Sequence, residues 1–389
     1  MSGFGFGTLT LLVLAGLAGP LLAAIPGARV PVVVGELLIG VALGNTGFRL
    51  IDPANSTFTL LANVGFALVM FVVGTHVPVH NSALRSALPW ALARAVVVGA
   101  VATGLGFGTA ALFGISHGPL YAVLMASSSA ALALPVLDGL GLTGTPVLSL
   151  TAQIAVADTA CIVLLPLMIN PSQAGRAALG AAAVAACAVV TVFILRAGDR
   201  SGWRRRMHRY SAKRGLALEL RTNLAILFAL ATLAVYMHVS IMLAGFAFGL
   251  AMAATGTPRR LARQLFGITE GLFGPLFFVW LGASLQVRDL GAHPRLILLG
   301  VALGAGAILA HMVGSALRQP WPLSILAAAQ LGVPVAAATI GTQTHLLETG
   351  EPSALMLGAL LTIVATPLAS IFAGRMKSLT AESDPHPES

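Results

Sequence analysis

The stretch 151-TAQIAVADTACIVLLPL-167 carries a single ionisable acid, Asp158, in the middle of an apolar run with no lysine or arginine. Extended to 147–170, the run is long enough to cross about 30 Å of hydrocarbon as a helix. A carboxylate at the centre of a bilayer costs about 2.5–3.5 kcal/mol on insertion scales. Such a group must meet water, a partner or a bound ion, or else hold a proton. Asp158 therefore reads in one of two ways. It is a permanently protonated packing residue, or a site where a proton and a small hard cation compete for the same oxygens.

The flanking sequence repeats the apolar pattern, with Glu36 the other acid well inside a run. Only 9% of the 389 residues are charged and 57% are hydrophobic, with a mean hydropathy of +0.91. A soluble chain of this length could not cover its surface with so little charge. Forty-three glycines suit close helix contacts in lipid. The spacing predicts about thirteen spanning helices, at 5–25, 29–45, 57–75, 84–114, 119–138, 147–170, 174–196, 217–237, 239–255, 260–285, 294–317, 321–345 and 352–375. Stops are expected near Gly44-Asn45, Asp138-Gly139, Asn170-Pro171 and Gly256. The first run has no basic segment ahead of it and reads as a retained helix, not a cleaved signal. Cys161 and Cys187 both lie in apolar runs, which supports neither a disulfide framework nor a zinc site.

The net charge of +9 sits in short clusters between the runs, as the positive-inside rule requires and a nucleic-acid face does not. Arg196, Arg200, Arg204, Arg205, Arg206, Arg209, Lys213 and Arg214 follow the seventh run. Arg259, Arg260 and Arg263 follow the ninth, while Arg29, Arg85, Arg318, Arg375 and Lys377 follow other odd-numbered runs. Arg49, Arg176, Arg288 and Arg295 form the minority on the other side. The expected orientation is N-terminus outside and C-terminus inside. The basic linker near 197–216 leaves six helices after it and six before the seventh helix. Halves separated by an odd helix insert in opposite senses, the arithmetic of an inverted-topology repeat. Corresponding helices carry interruptions, Ser127-Ser128-Ser129 in the fifth and Gly332-Val333-Pro334 in the twelfth. These read either as plain kinks or as paired breaks lining a midplane site.

Other polar residues separate into candidates and bystanders. His311, in GAILAHMVGSALR, either hydrogen-bonds a neighbouring helix or titrates. Glu36, in the second run, reads as a packing or interface acid. Asp138 and Glu270, at helix ends, suit capping, solvent contact and contacts between domains. Gly104-Leu105-Gly106-Phe107-Gly108 resembles a nucleotide loop only superficially, because no strand precedes it, and packing through Gly104 and Gly108 is expected. No Walker motif, zinc-type His/Glu pair or serine elbow appears. The serines at 127–129 lack a base, so an enzyme is not expected.

On these segments the sequence resembles the monovalent cation:proton antiporters, in their Kef-type and sodium/hydrogen exchanger branch. PVVVGELLIGVALGN (31–45) and LANVGFALVMFVVG (61–74) are similar to early family signatures. MASSSAALALPVLDGLGL (125–142) resembles the family's crossover helix, and HVSIMLAGFAFGL (238–250) and GPLFFVWLGASL (274–285) match further patterns. The resemblance implies an all-α membrane protein with inverted repeats and two crossed discontinuous helices. It also implies a homodimer in which a core domain moves like an elevator against an interface domain. Asp158 then aligns with the essential ion- and proton-binding aspartate. Ser127, Ser128, Ser129, Thr159, His311 and Gln330 are its supporting polar groups, and Gly332 and Pro334 mark the second break. The implied layout assigns 1–83 and 217–293 to the interface, 84–170 and 294–375 to the core, 171–216 to a linking helix and basic cytoplasmic loop, and 376–389 to a short tail.

The chain departs from that family at several positions. Ala157 stands where many relatives have an acid or amide, and His311-Met312-Val313-Gly314 replaces a lysine motif. Gln330-Leu331-Gly332 leads to Val333 instead of an acid, and His76 stands where a third-helix acid is usual. The nucleotide-binding regulatory domain of many Kef relatives is expected to be absent from the C-terminus. The combined reading is a cell-membrane antiporter, in bacteria an inner-membrane one, that exchanges protons for Na⁺ or K⁺, with no resident cofactor or metal and no nucleic-acid partner. Its alternatives are a transporter of an organic ion or drug on the same fold, and a non-transporting sensor on a degenerate antiporter scaffold.

Overall fold

The computed structural model describes residues 4–25, 32–75, 82–169, 174–214, 216–237, 239–255, 259–285, 287–343 and 346–376. Arg29, His76, Asn170, Pro171, Gly256, Lys377 and the Asp138 side chain, all invoked above, lie outside the described residues. The described elements are helical throughout. They begin with α1 (Phe6–Gly16), α2 (Ala18–Ala23), α3 (Val32–Leu43), α4 (Ser56–Thr75) and α5 (Ser82–Phe113). Next come α6 (Gly118–Ala126), α7 (Ala130–Gly139), α8 (Thr145–Ile169), α9 (Ala174–Arg200) and α10 (Trp203–Arg214). They continue with α11 (Leu218–Tyr236), α12 (Ile241–Thr255), α13 (Arg259–Ile268), α14 (Gly274–Ser284) and α15 (Val287–Ala292). The last are α16 (Pro294–Met312), α17 (Trp321–Ala327), α18 (Gly332–Gln343) and α19 (Glu351–Ala373).

Ten stretches among the described residues are long and apolar enough to cross a membrane, and α3 and α12 are shorter apolar helices. Lipid offers the backbone no hydrogen bonds, so each crossing must satisfy its own amides as a helix.

The helices gather into two compact units. The first holds α1–α4, α8 beyond Cys161, and α9–α15. It is sealed by glycines at backbone contacts. A Cβ on Gly74 or Gly249 would strike the facing backbone across α4 and α12, and Gly40 and Gly282 do the same for α3 and α14. This is the small-residue packing that replaces a hydrophobic driving force between helices in lipid. Phe66 stacks on Phe277 beside these contacts, at 4.6 Å between ring centres.

The second unit holds α5–α7, α8 through Cys161, and α16–α19. It contains two interrupted helices. The first stops at Ala126, runs extended at Ser127 (ψ 146°), and restarts at Ala130. The second stops at Ala327 and restarts at Gly332. Gly332-Val333-Pro334 is thus the first turn of the second half-helix, with the break in residues 328–331 before it. A proline in a first turn forfeits only an amide that has no helical partner, so it begins the half-helix. The packing glycine of α5 is Gly106, against the Tyr121–Ala122 backbone, whereas Gly104 and Gly108 face open space. Three single helices expected from the sequence are also interrupted, the first of them at Leu17 between α1 and α2. A wide π-type turn at Thr269–Phe273 separates α13 from α14, and α16 tightens into a 3-10 turn at Val313–Leu317. The basic linker contains a further helix, α10.

Candidate functional site

Asp158 lies midway along α8 in the second unit and is only 2% exposed. Its Oδ2 accepts a hydrogen bond from the Ala130 backbone N–H at 3.3 Å. Ala130 is the first residue of α7, so the carboxylate meets the positive end of a half-helix, where free amides point outward. The break is what makes that end available in mid-chain. In an unbroken helix the Ala130 amide would bond to the carbonyl four residues back. Ser129 closes the restarted turn, its carbonyl accepting from Leu132 N at 3.2 Å and Ala133 N at 3.0 Å.

The negative end of α6 is satisfied in a different way. The Leu124 carbonyl accepts from Ser127 N at 3.0 Å, from Ser127 Oγ at 2.8 Å and from Gln330 Nε2 at 2.6 Å. Gln330 belongs to the other break, so the two interruptions meet through this amide. Its backbone N–H donates to Thr362 Oγ1 of α19 at 3.1 Å. The Thr362 hydroxyl in turn donates to Ala359 O at 2.7 Å. Together the breaks present a partial positive end to an acid and close a partial negative end with neutral donors.

His311, 1% exposed, reaches the same region from α16. Its Nδ1 is 2.9 Å from Ala307 O, and its Nε2 is 3.3 Å from Ser128 Oγ. A carbonyl only accepts, so Nδ1 carries hydrogen, and in the neutral ring Nε2 accepts from the Ser128 hydroxyl. The histidine thus pins the middle serine of the first break. Its described partners do not include Asp158. Thr159 turns onto its own helix, donating to Ala155 O at 2.7 Å, and makes no described bond to the acid. Glu36 is buried in the first unit with its Cγ facing Gly19, and Glu270 is exposed in the π-type turn.

Sequence reasoning passed over two groups in the second unit. Glu351 opens α19, a position that reads as a solvated helix start, yet it is 0% exposed. It accepts from Tyr121 OH at 2.7 Å and Glu348 N at 2.9 Å, and it pairs with His117 Nδ1 at 2.8 Å. His117 sits in the connection before α6. Its hydrogen bond to Glu351 holds the imidazolium above the usual histidine range, against the effect of partial burial. The second group centres on Arg94, buried in α5. It donates to Leu317 O through Nη2 at 2.9 Å and Nε at 3.3 Å, and to Ser149 Oγ through Nη1 at 2.8 Å. An arginine within an apolar run was the available signal, because such a group must find acceptors.

Against known proteins, residues 9–374 match the family described as sodium/hydrogen exchanger, transmembrane. The putative Na⁺/H⁺ antiporter YjbQ of Bacillus subtilis is 22% identical over 362 residues, which is 87% of this chain and 58% of that protein. The Na⁺/H⁺ antiporter NhaS5 of Synechocystis is 26% identical over 326 residues, 80% of this chain and 45% of the relative. The chain therefore spans roughly half the length of these two relatives. The sodium proton antiporter MjNhaP1 of Methanocaldococcus jannaschii, solved at pH 8, has a similar fold. The TM-score is 0.64 at 17% identity, over 95% of this chain and 96% of that one.

Proposed function

The chain belongs to the transmembrane sodium/hydrogen exchanger family, among the monovalent cation:proton antiporters, and from this we propose that it exchanges protons for a monovalent cation across a cell membrane. It is a multi-pass membrane protein of a transporter family, not an enzyme. Asp158 is the exchange site in this reading. Its oxygens hold either a proton or a desolvated Na⁺ or K⁺, never both, and that competition couples the two flows. The observation that carries the reading is the placement of a buried carboxylate against the restarted end of a broken helix. There the half-helix stabilises the charged form between cargoes without neutralising it outright.

The second unit then carries the site by elevator-type alternating access. Ser127, Ser128, Gln330 and His311 hold the two breaks together during that motion, with Ser129 capping the restarted turn. The basic side is cytoplasmic, which puts the N-terminus outside and the C-terminus inside. The protein works as a homodimer through the first unit, whose long apolar helices supply the surface. With Ala157 beside Asp158, each protomer has one exchanging carboxylate and the exchange is electroneutral.

The test is a dequenching assay in proteoliposomes with Na⁺, K⁺ and Li⁺ on the native chain and on Asp158→Asn. The native chain dissipates an imposed pH gradient with at least one of these ions. Asp158→Asn inserts and folds but shows no cation-dependent signal. Proton-coupled cation transport retained in Asp158→Asn overturns the assignment, and a native rate that follows an imposed membrane potential overturns electroneutrality.

A further inference from the structure

We propose that α10 lies on the membrane surface and binds anionic phospholipid headgroups through one basic–aromatic face. The segment 203-WRRRMHRYSAKR-214 contains no acidic residue, so its positive charges have no counterions within the helix. Trp203, Arg206, Tyr210 and Lys213 follow each other at helical spacings of three and four, flanked by Arg209 and Arg214, and all six are exposed. Trp203 is 55% exposed and Tyr210 48%, a placement unfavourable in water and common at the headgroup level of a bilayer. The Arg214 guanidinium lies 4.5 Å from the Tyr210 ring centre and donates to its hydroxyl at 2.6 Å, joining charge and ring into one surface.

Away from that face the helix is anchored to the protein at Ser211. Ser211 is 3% exposed, and its hydroxyl accepts from Leu218 N at 3.0 Å, which ties the end of α10 to the start of α11. Both neighbours of α10 in the chain are apolar enough to span, Ala174–Gly198 before it and Leu218–Tyr236 after it. The connections are residues 201–202 and 215–217, which reach about 10 and 14 Å at full extension. A helix of this length, about 18 Å, is thereby held close to the bilayer at both ends. Its exposed face has a lipid surface at hand. A tethered polybasic face with interfacial aromatics has the chemistry that attracts negatively charged headgroups.

The test uses the full chain in phosphatidylcholine vesicles containing a minor fraction of brominated lipid, either phosphatidylglycerol or phosphatidylcholine. Quenching of tryptophan fluorescence is read as the difference between the native chain and Trp203→Phe, which isolates Trp203. At low salt we expect brominated phosphatidylglycerol to quench Trp203 at least about threefold more than brominated phosphatidylcholine. The preference should fall to parity in the combined Arg206→Gln, Arg209→Gln, Lys213→Gln, Arg214→Gln variant, and in high salt with the native chain. Equal quenching by the two lipids at low salt overturns the proposal, as does no quenching by either, the result expected of a solvated or protein-covered face. If the combined variant does not insert, the salt series on the native chain decides, and a preference indifferent to salt overturns the proposal.

Discussion

The two broken helices of the second unit share a backbone plan and differ in chemistry. The first break is three serines and opens toward Asp158, giving the acid a backbone N–H at the start of α7. The second, at 328–331, is apolar apart from Gln330, whose side chain reaches back to close the end of α6. One break meets an acid through a backbone N–H, and the other bonds back to the first. Two interruptions can thus share a backbone plan while only one of them meets a carboxylate. The general point is that a half-helix end is a site only when the sequence elsewhere supplies something of opposite sign to meet it.

Changes to either crossing test that division. The largest effect is expected from Asp158→Asn, which removes coupled exchange altogether in the liposome assay. Next is Ala130→Pro. Proline fits the first turn of a helix, so α7 should restart normally while the hydrogen bond to Asp158 is lost. A bond to a charged acceptor is worth about 1.5 kcal/mol, so the KM for the cation should rise about tenfold. An unchanged KM would remove the half-helix end from the site. Gln330→Ala should slow exchange about fivefold with little change in KM, since the lost donor serves Leu124 O and not the acid. A large KM change there would instead make the second break part of the binding site.

Smaller effects separate pH behaviour from structure. His117 has a raised pKa because it bonds Glu351, so its contribution to stability is complete below the ordinary value of 6.5 and is lost as pH rises through the raised value. His117→Gln should therefore lower thermal stability at mildly acidic pH and leave it unchanged at alkaline pH. A loss that is equal at both pH values would show that packing, not the ion pair, matters. The smallest change is expected from His311→Gln, which can keep one donor and one acceptor for Ala307 O and Ser128. Its exchange rate should keep the native pH profile, and a displaced profile would make His311 a titrating partner of Asp158.

Much of this was legible before any coordinates. Each apolar stretch contains helix, because a run of that length has no other way to satisfy its backbone in lipid. The position of Asp158 stood out for a related reason, an acid at that depth being too costly to be incidental. The extra break in the tenth stretch was not legible, since Thr269–Phe273 has the composition of an ordinary helix. Nor was the depth of Glu351, whose acid after Gly350 matches a solvated helix start.

Sequence alone determined the membrane class, the approximate spans and the mid-helix position of Asp158, because these follow from hydrophobic length and the cost of burying charge. Only the tertiary structure decided the partners. It gave His311 to Ser128, Gln330 to Leu124 and Glu351 to His117 and Tyr121. Hydrogen bonds act over about 3 Å, and residues some two hundred positions apart come that close only once the helices have packed.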